Sequence, residues 1–330
     1  MKKILLFLLS LAVGIGLFIW VVKMVGWEEL KSDFMLFTGV DGLIIICLTF
    51  LTLSIGTWRW KEILKGVGVD LPFKKLITPF LAGFSIIYLV PIIVWGGEVL
   101  RSYVLRQRND VSWAKSMASV VIDRIMEWSA NLTVIFFGGL VFLLFNRFPI
   151  NNLVIIFVGV FMFFLAALIF FFVKCYKRES IASIFLGKRK KNLFEIEKEI
   201  FNFFKYQKKA IWKAAGLSFL RASVMFVRVW FLIFFLGKTV GFLTTLSVLG
   251  FSYLAVMIPI PTALGTSEAI QSFAFNTLGI GISTAPAFTM IIRGAEIVAA
   301  LIGLILLFRV GVLMMKDKLL DKIENLGSDD

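Results

Sequence analysis

The chain has no histidine among its 330 residues. That excludes mechanisms needing an imidazole base, including Ser-His-Asp hydrolysis and His-dependent acyl transfer, and it removes the commonest metal ligand. Cysteine is almost absent. Cys47 and Cys175 lie in or beside separate apolar runs without metal-ligand spacing, so neither a disulfide nor a metal site is expected. Acid is short as well, with 21 Asp and Glu against 35 Lys and Arg and a formal charge of +14. Such an excess can mark nucleic-acid binding, but here Lys and Arg sit mainly between apolar runs, as membrane topology requires. Nor is there a nucleotide motif. Gly237-Lys238-Thr239 has the end of a P-loop, but Leu232 occupies the position of its first glycine and no strand precedes it.

Hydrophobic residues, by contrast, make up 59% of the chain. Apolar runs of about 20 residues recur from end to end and do not alternate with polar residues, so the chain reads as a polytopic helical membrane protein rather than a β-barrel. Eight runs stand out: Ile4–Val25, Gly42–Trp58, Leu76–Val94, Trp113–Phe145, Leu153–Val173, Ile211–Leu236, Gly241–Ile260 and Pro286–Phe308. The first is too long for a typical signal-peptide core and no small-residue cleavage site closes it, so it reads as a membrane helix. Gly138-Gly139 is expected to permit close helix approach. Trp58, Trp60, Trp113 and Trp212 read as interfacial anchors.

Charge argues against eight full crossings. Lys2 and Lys3 put the N-terminus in the cytoplasm, and the acidic loop with Glu28, Glu29, Lys31 and Asp33 lies outside. The loop from Arg59 to Lys75 is basic, hence inside, and the loop holding Arg101, Arg106, Arg108 and Lys115 is basic too. A full crossing by Leu76–Val94 would expel the second of these. A re-entrant hairpin removes the conflict: the chain enters from the cytoplasm, turns at Pro91, Gly96 and Gly97, and returns through Glu98–Arg106. Irregular backbone at that depth must be buried in protein or line a wet cavity. A second hairpin, Gly241–Leu278, turns at Pro259, Pro261 and Gly265. The basic loop Lys174–Lys213 is inside and contains an amphipathic segment, Leu193–Tyr206, expected at the interface with Phe194, Phe201 and Phe204 towards lipid. Both termini are then cytoplasmic.

The fold class expected is all-α: six full spans plus two re-entrant helical hairpins, forming one integral membrane domain over residues 1–330. Pseudo-repeats cover 1–150 and 151–310, the basic linker 174–213 joins them, and a short tail 311–330 follows. Three full crossings per repeat make the second half inverted relative to the first, which is the plan of secondary transporters.

One pattern occurs twice and carries the charge. Gly97-Glu98 precedes Arg124-x-x-Glu127 by about 26 residues, and Ser267-Glu268 precedes Arg293-x-x-Glu296 by about 25, each after a proline break. Glu98, Arg101, Asp123, Arg124, Glu127, Arg221, Arg228, Glu268, Arg293 and Glu296 all fall within or beside apolar stretches. Each unpaired charge would cost about 2.5–3.5 kcal/mol at mid-membrane. Two readings remain. Static pairing would join Arg124 to Glu127 and Arg293 to Glu296 along one helix face, and would use Glu98 and Glu268 only to complement helix dipoles. Alternatively Glu98, Arg101, Asp123, Arg124, Glu127, Glu268, Arg293 and Glu296 form a polar path for a headgroup or a coupling proton.

Trp58-Arg59-Trp60, Gly97-Glu98-x-x-Arg101, Ala118-Ser119-x-x-x-Asp123-Arg124-x-x-Glu127 and Pro261-x-x-x-Gly265-x-x-Glu268 resemble the lysylphosphatidylglycerol synthase transmembrane-region family, also called flippase-like or UPF0104 proteins. The likeness covers nearly the whole chain. Where the family commonly has Glu-Arg-x-x-Asp, this chain has Asp123-Arg124-x-x-Glu127, acids exchanged in size but not in charge. The resemblance implies a membrane protein that moves or handles polar lipids. The charges add the expectation of anionic or phosphate-bearing lipids of the cell membrane as partners, with no cofactor or metal. Only about 20 residues follow the last apolar run, so aminoacyl transfer from tRNA is not expected. Two alternatives are an intramembrane glycosyl or phosphoryl transferase and an accessory subunit of a lipid-synthesising enzyme.

Overall fold

The computed structural model describes residues 39–89, 96–145, 152–177, 179–180, 191–257 and 266–327. The first apolar run, the residues Pro91, Pro259, Pro261 and Gly265 expected at the turns, and residues 146–151 lie outside the described residues. Ten helices account for nearly all of what is described. They are α1 (Val40–Gly66), α2 (Phe73–Leu89), α3 (Gly96–Asn109), α4 (Trp113–Phe145), α5 (Asn152–Lys177), α6 (Lys191–Tyr206), α7 (Lys208–Phe235), α8 (Phe242–Met257), α9 (Thr266–Thr277) and α10 (Thr284–Gly327).

Five of them are long and apolar enough to cross a membrane: Val40–Gly66, Trp113–Leu144, Val158–Lys177, Lys208–Phe235 and Thr284–Arg309. These coincide with five of the six spans read from hydropathy. At 1.5 Å per residue, 20 residues match a hydrocarbon core of about 30 Å. The two remaining apolar runs each form a shorter helix that stops before a second short helix: α2 precedes α3, and α8 precedes α9. Within the first pair the chains run antiparallel and close. Arg101 lies over Phe80, and a Cβ on Gly83 would come within 2.8 Å of the Gly97 carbonyl oxygen. Only glycine at both crossing points permits that approach.

The helix ends repeat as well. α1 and α7 both close on a left-handed glycine, Gly68 at φ 80° and Gly237 at φ 74°. In each the next amide returns to the last turn, Val69 N–H to Leu64 O at 2.9 Å and Lys238 N–H to Ile233 O at 3.1 Å. This satisfies carbonyls that a helix terminus would otherwise leave without donors.

Packing pairs come in matched sets. α1 lies against α7 at the centre. α2 packs on α10, and α8 packs on α4, so each short apolar helix leans on a long helix from the other half of the chain. Small residues make these seams tight. A Cβ on Gly138 of α4 would lie 2.6 Å from the Leu246 carbonyl oxygen and 3.1 Å from Gly250 Cα of α8, and Ser247 donates to the Gly138 carbonyl at 3.0 Å. Gly303 of α10 sits likewise against Leu81 and Ser85 of α2. In lipid, where apolar helices gain little by leaving their solvent, close backbone approach through small residues supplies the association.

Two sequence readings need correction. α6 forms where an amphipathic helix is expected, but its apolar face is not given over to lipid. Ile196, Ile200 and Phe203 are buried with Trp60, Ile63 and Leu64 of α1, and Phe201 and Phe204 pack at the edge of the same core. The base of the bundle offers a protein groove for that face, with Gly66 of α1 directly against the Phe203 ring. Trp60 is not an interfacial anchor either. It is wholly buried and its indole N–H donates to Ser119 Oγ at 3.1 Å. Trp58, two positions before it and half exposed, faces outward as an anchor would.

Candidate functional site

The charged residues of the apolar segments meet in two clusters beside the α1–α7 contact. In the first, Asp123 of α4 accepts from Arg59 Nε of α1 at 2.7 Å and from Arg101 Nη2 of α3 at 3.0 Å. The Arg101 guanidinium carbon also lies over the Trp60 ring, 4.0 Å from its centroid. One helical turn on, Glu127 accepts from three guanidinium groups: Arg59 Nη2 at 3.0 Å, Arg124 Nη1 at 3.2 Å, and Arg221 Nη1 of α7. Arg124 Nε donates in turn to Glu98 Oε1 in the first turn of α3. The second cluster is smaller. Arg293 of α10 donates to Glu268 Oε1 in the first turn of α9 at 2.5 Å, and Arg228 Nη2 of α7 donates to Glu296 Oε1 at 3.4 Å.

Four members of the first cluster, Arg59, Glu98, Arg124 and Glu127, have counterparts in the second, Arg228, Glu268, Arg293 and Glu296. Glu98 is to Arg124 as Glu268 is to Arg293: a carboxylate at the start of a short helix held by an arginine on the following long helix. Arg59 donates from α1 to Ser218 of α7 at 3.4 Å, and Arg228 donates from α7 to Thr49 of α1 at 3.0 Å. A near-constant offset along the sequence relates each of these four to its counterpart, whereas Arg101, Asp123 and Arg221 have no charged counterpart. Both turn glutamates therefore do two things at once, complementing a helix N-terminus and pairing with a distant arginine.

Burial divides the residues into two layers. Arg59, Arg101, Asp123, Glu98 and Arg228 are buried. Arg124, Glu127, Arg221, Arg293, Glu268 and Glu296 are partly open, with side-chain exposures from 13% to 28%. The inner layer holds the helices in register, because removing one member of a buried pair strands the other charge. The outer layer keeps an accessible side, and Glu98, although buried, is joined to it through its pair with Arg124.

The i,i+3 pair expected between Arg124 and Glu127 is present at 3.2 Å. Its counterpart is replaced: Arg293 turns to Glu268 and Glu296 to Arg228. Tertiary partners on α9 and α7 offer each group its own counter-charge, which one shared pair would not. By sequence Arg59 belongs to a basic loop, yet it is 1% exposed because α1 continues as helix through Gly66. Together with Arg221 and Arg228 it is the cationic part of the site that hydropathy does not assign to a partner. The available signal is an arginine flanked by Trp58 and Trp60 at the end of an apolar run. Among the described residues there is no group of three His, Cys, Asp or Glu side chains able to hold a metal ion.

These features define a multi-pass helical membrane protein with a charged seam inside an apolar bundle. The chain belongs to the lysylphosphatidylglycerol synthase TM region family, whose sequence profile matches residues 7–303. It is similar to UPF0104 membrane proteins of three archaea. The relative from Pyrococcus horikoshii is 26% identical over 89% of this chain and 92% of its own length. That from Methanocaldococcus jannaschii is 26% identical over 71% and 74%, and that from Methanothermobacter thermautotrophicus 24% identical over 86% and 89%. No solved structure matches the chain.

Proposed function

We propose that this protein is a lipid translocase that passes a polar or charged headgroup across the cell membrane while the acyl tails stay in lipid. The observation that carries this reading is the pair of charge clusters, each built on a turn glutamate and meeting across α1 and α7. Charges paired only for packing would be buried together with their partners, and yet six of the charged side chains keep an accessible side. Intramembrane ionisable groups of that kind mark substrate or proton paths.

In this reading residues 1–330 form one membrane domain of six spans and two re-entrant hairpins, α2–α3 and α8–α9, with both termini cytoplasmic. The halves are inverted repeats, which accounts for the matched seams and caps. Arg124 and Arg293 neutralise a headgroup phosphate, and Glu98 and Glu268 contact an amine or carry a coupling proton. Membership of a family named for lysylphosphatidylglycerol synthases supports a lipid as the ligand. Neither the catalytic nor the accessory alternative has a specific structural observation in its favour.

The test is reconstitution into liposomes with a headgroup-labelled phospholipid. Wild-type protein is expected to equilibrate the label between leaflets, and Glu98→Gln combined with Glu268→Gln is expected to slow it by at least about tenfold. An unchanged rate in the double variant refutes the assigned roles.

A further inference from the structure

The two clusters differ in two respects: the first holds an additional ion pair, Arg101 with Asp123, and one further cation. Around Glu127 four guanidinium groups, of Arg59, Arg101, Arg124 and Arg221, face three carboxylates, of Glu98, Asp123 and Glu127. In the other cluster Arg228 and Arg293 face Glu268 and Glu296. The hydrogen bonds show where asymmetry enters. Arg59 meets Ser218 and Arg228 meets Thr49, so those two hydroxyls are counterparts. Three residues after Thr49 stands Thr52, whose hydroxyl merely donates to the Thr49 carbonyl at 2.7 Å. Three residues after Ser218 stands Arg221, which crosses to Glu127 of the other half.

Arg221 is thus an added cation at a site already served by Arg59 and Arg124. Its Nε is buried and has no partner among the described residues. The same holds for Glu98 Oε2, on the carboxylate that shares Arg124, and Glu98 itself is 2% exposed. Arg101 Nε and Arg228 Nε lack partners too, so it is the surplus charge that singles out Arg221. A surplus cation is costly in an apolar interior unless a ligand completes it.

We infer that Arg124 and Arg221 form the seat for a singly charged phosphodiester of a lipid headgroup, which takes the place of Glu127 on the Arg221 fork. This deepens the translocase reading and rests on it for the lipid. Planar guanidinium groups suit phosphate oxygens bidentately, so Nε and Nη1 of Arg221 would both be satisfied. One negative charge balances the surplus of one. A dianionic phosphomonoester would leave an excess negative charge in the bundle. A hydroxyl or amine next to the phosphate supplies the donor that Glu98 Oε2 lacks, and phosphatidylglycerol is such a lipid.

The experiment measures lipid retention by native mass spectrometry on the purified full chain, offered equimolar phosphatidylglycerol and phosphatidic acid. The wild type is expected to retain phosphatidylglycerol over phosphatidic acid by about tenfold or more. Arg221→Thr, which copies the α1 side, is expected to lose that preference. Arg221→Lys keeps the charge without the fork and is expected to bind several-fold more weakly with the preference intact, which serves if the threonine variant fails to fold. Equal retention of phosphatidic acid by the wild type, or an unaltered preference in Arg221→Thr, overturns the seat. Displacement of the lipid by dimethyl phosphate would assign the seat to soluble phosphodiesters and overturn the lipid assignment. Selective retention without transfer in liposomes sinks the translocase and leaves the seat standing. Transfer indifferent to Arg221 does the reverse.

Discussion

Arg228 reaches from α7 to donate to the Thr49 hydroxyl of α1 at 3.0 Å, and the bond is buried. Arg59 makes the reciprocal reach from α1 to Ser218 of α7. These two arginines stitch the central helices together, and each also holds a carboxylate of a long helix, Glu127 or Glu296. Charge pairing and helix packing are therefore one arrangement, and disturbing either disturbs the other.

Asp123 sits between Arg59 and Arg101 with almost no exposure. Asp123→Asn removes the negative charge that Arg101 contacts directly and leaves two guanidinium groups competing for a neutral amide. A loss of about 3–5 kcal/mol is expected, the usual cost of breaking a buried pair. Reversible denaturation in detergent measures it. A loss under about 1 kcal/mol would show that Asp123 is not an organising charge.

Trp60→Phe keeps most of the apolar contact and removes the indole N–H that donates to Ser119. The hydroxyl of Ser119 still donates to the Ser116 carbonyl at 2.7 Å, so only one bond is lost. About 1 kcal/mol of destabilisation is expected, with part of the cation–π contribution at Arg101 lost as well. The same denaturation assay reads both.

The α4–α8 seam has no room at Gly138. A leucine there would force its side chain into the Leu246 carbonyl and the Gly250 backbone. Gly138→Leu is expected to cost about 1–3 kcal/mol or to separate the seam, seen as a lowered midpoint of thermal unfolding. A Cβ added to Gly159 of α5 would meet nothing within 4 Å, so Gly159→Ala is the control and should leave the midpoint unchanged or raise it.

Glu268 and Arg293 act as one unit if they serve the path together. Glu268→Gln and Arg293→Gln are each expected to slow lipid transfer, and the double variant is expected to match the worse single variant rather than multiply the two. Multiplicative effects would separate their roles.

Topology has its own test. Gln107 at the end of α3 and Lys65 at the end of α1 are both exposed, and a re-entrant α2–α3 puts them on one side of the membrane. Cysteines placed singly at those positions, in a chain with Cys47 and Cys175 replaced, should react with an impermeant reagent from the same face. Labelling from opposite faces would make α2 a full crossing and dissolve the inverted repeat.

Much of the architecture is legible without coordinates because lipid imposes a strict rule: a helix that crosses must be long and apolar. Hence Val40–Gly66, Trp113–Leu144, Val158–Lys177, Lys208–Phe235 and Thr284–Arg309 all lie where hydropathy locates them. The repeated Glu and Arg-x-x-Glu spacing likewise marks Glu98, Arg124, Glu268 and Arg293 as related. Partner choice is another matter. Arg293 with Glu296 is as good a pair along the sequence as Arg124 with Glu127, and nothing local says that one forms and the other does not. The buried roles of Arg59 and Trp60 stay hidden for the same reason, since the end of a span looks alike whether lipid headgroups or α6 covers it.

What the sequence by itself determined is the class of fold, the spans and the identity of the charges that must be reconciled inside them, since hydrophobic length and the expense of an isolated charge are properties of the residues alone. What only the tertiary structure decided is who neutralises whom. Ion pairs act over a few ångströms between groups far apart along the chain, and the packing of α1 on α7 brings Arg59, Arg221 and Arg228 within that range of their carboxylates.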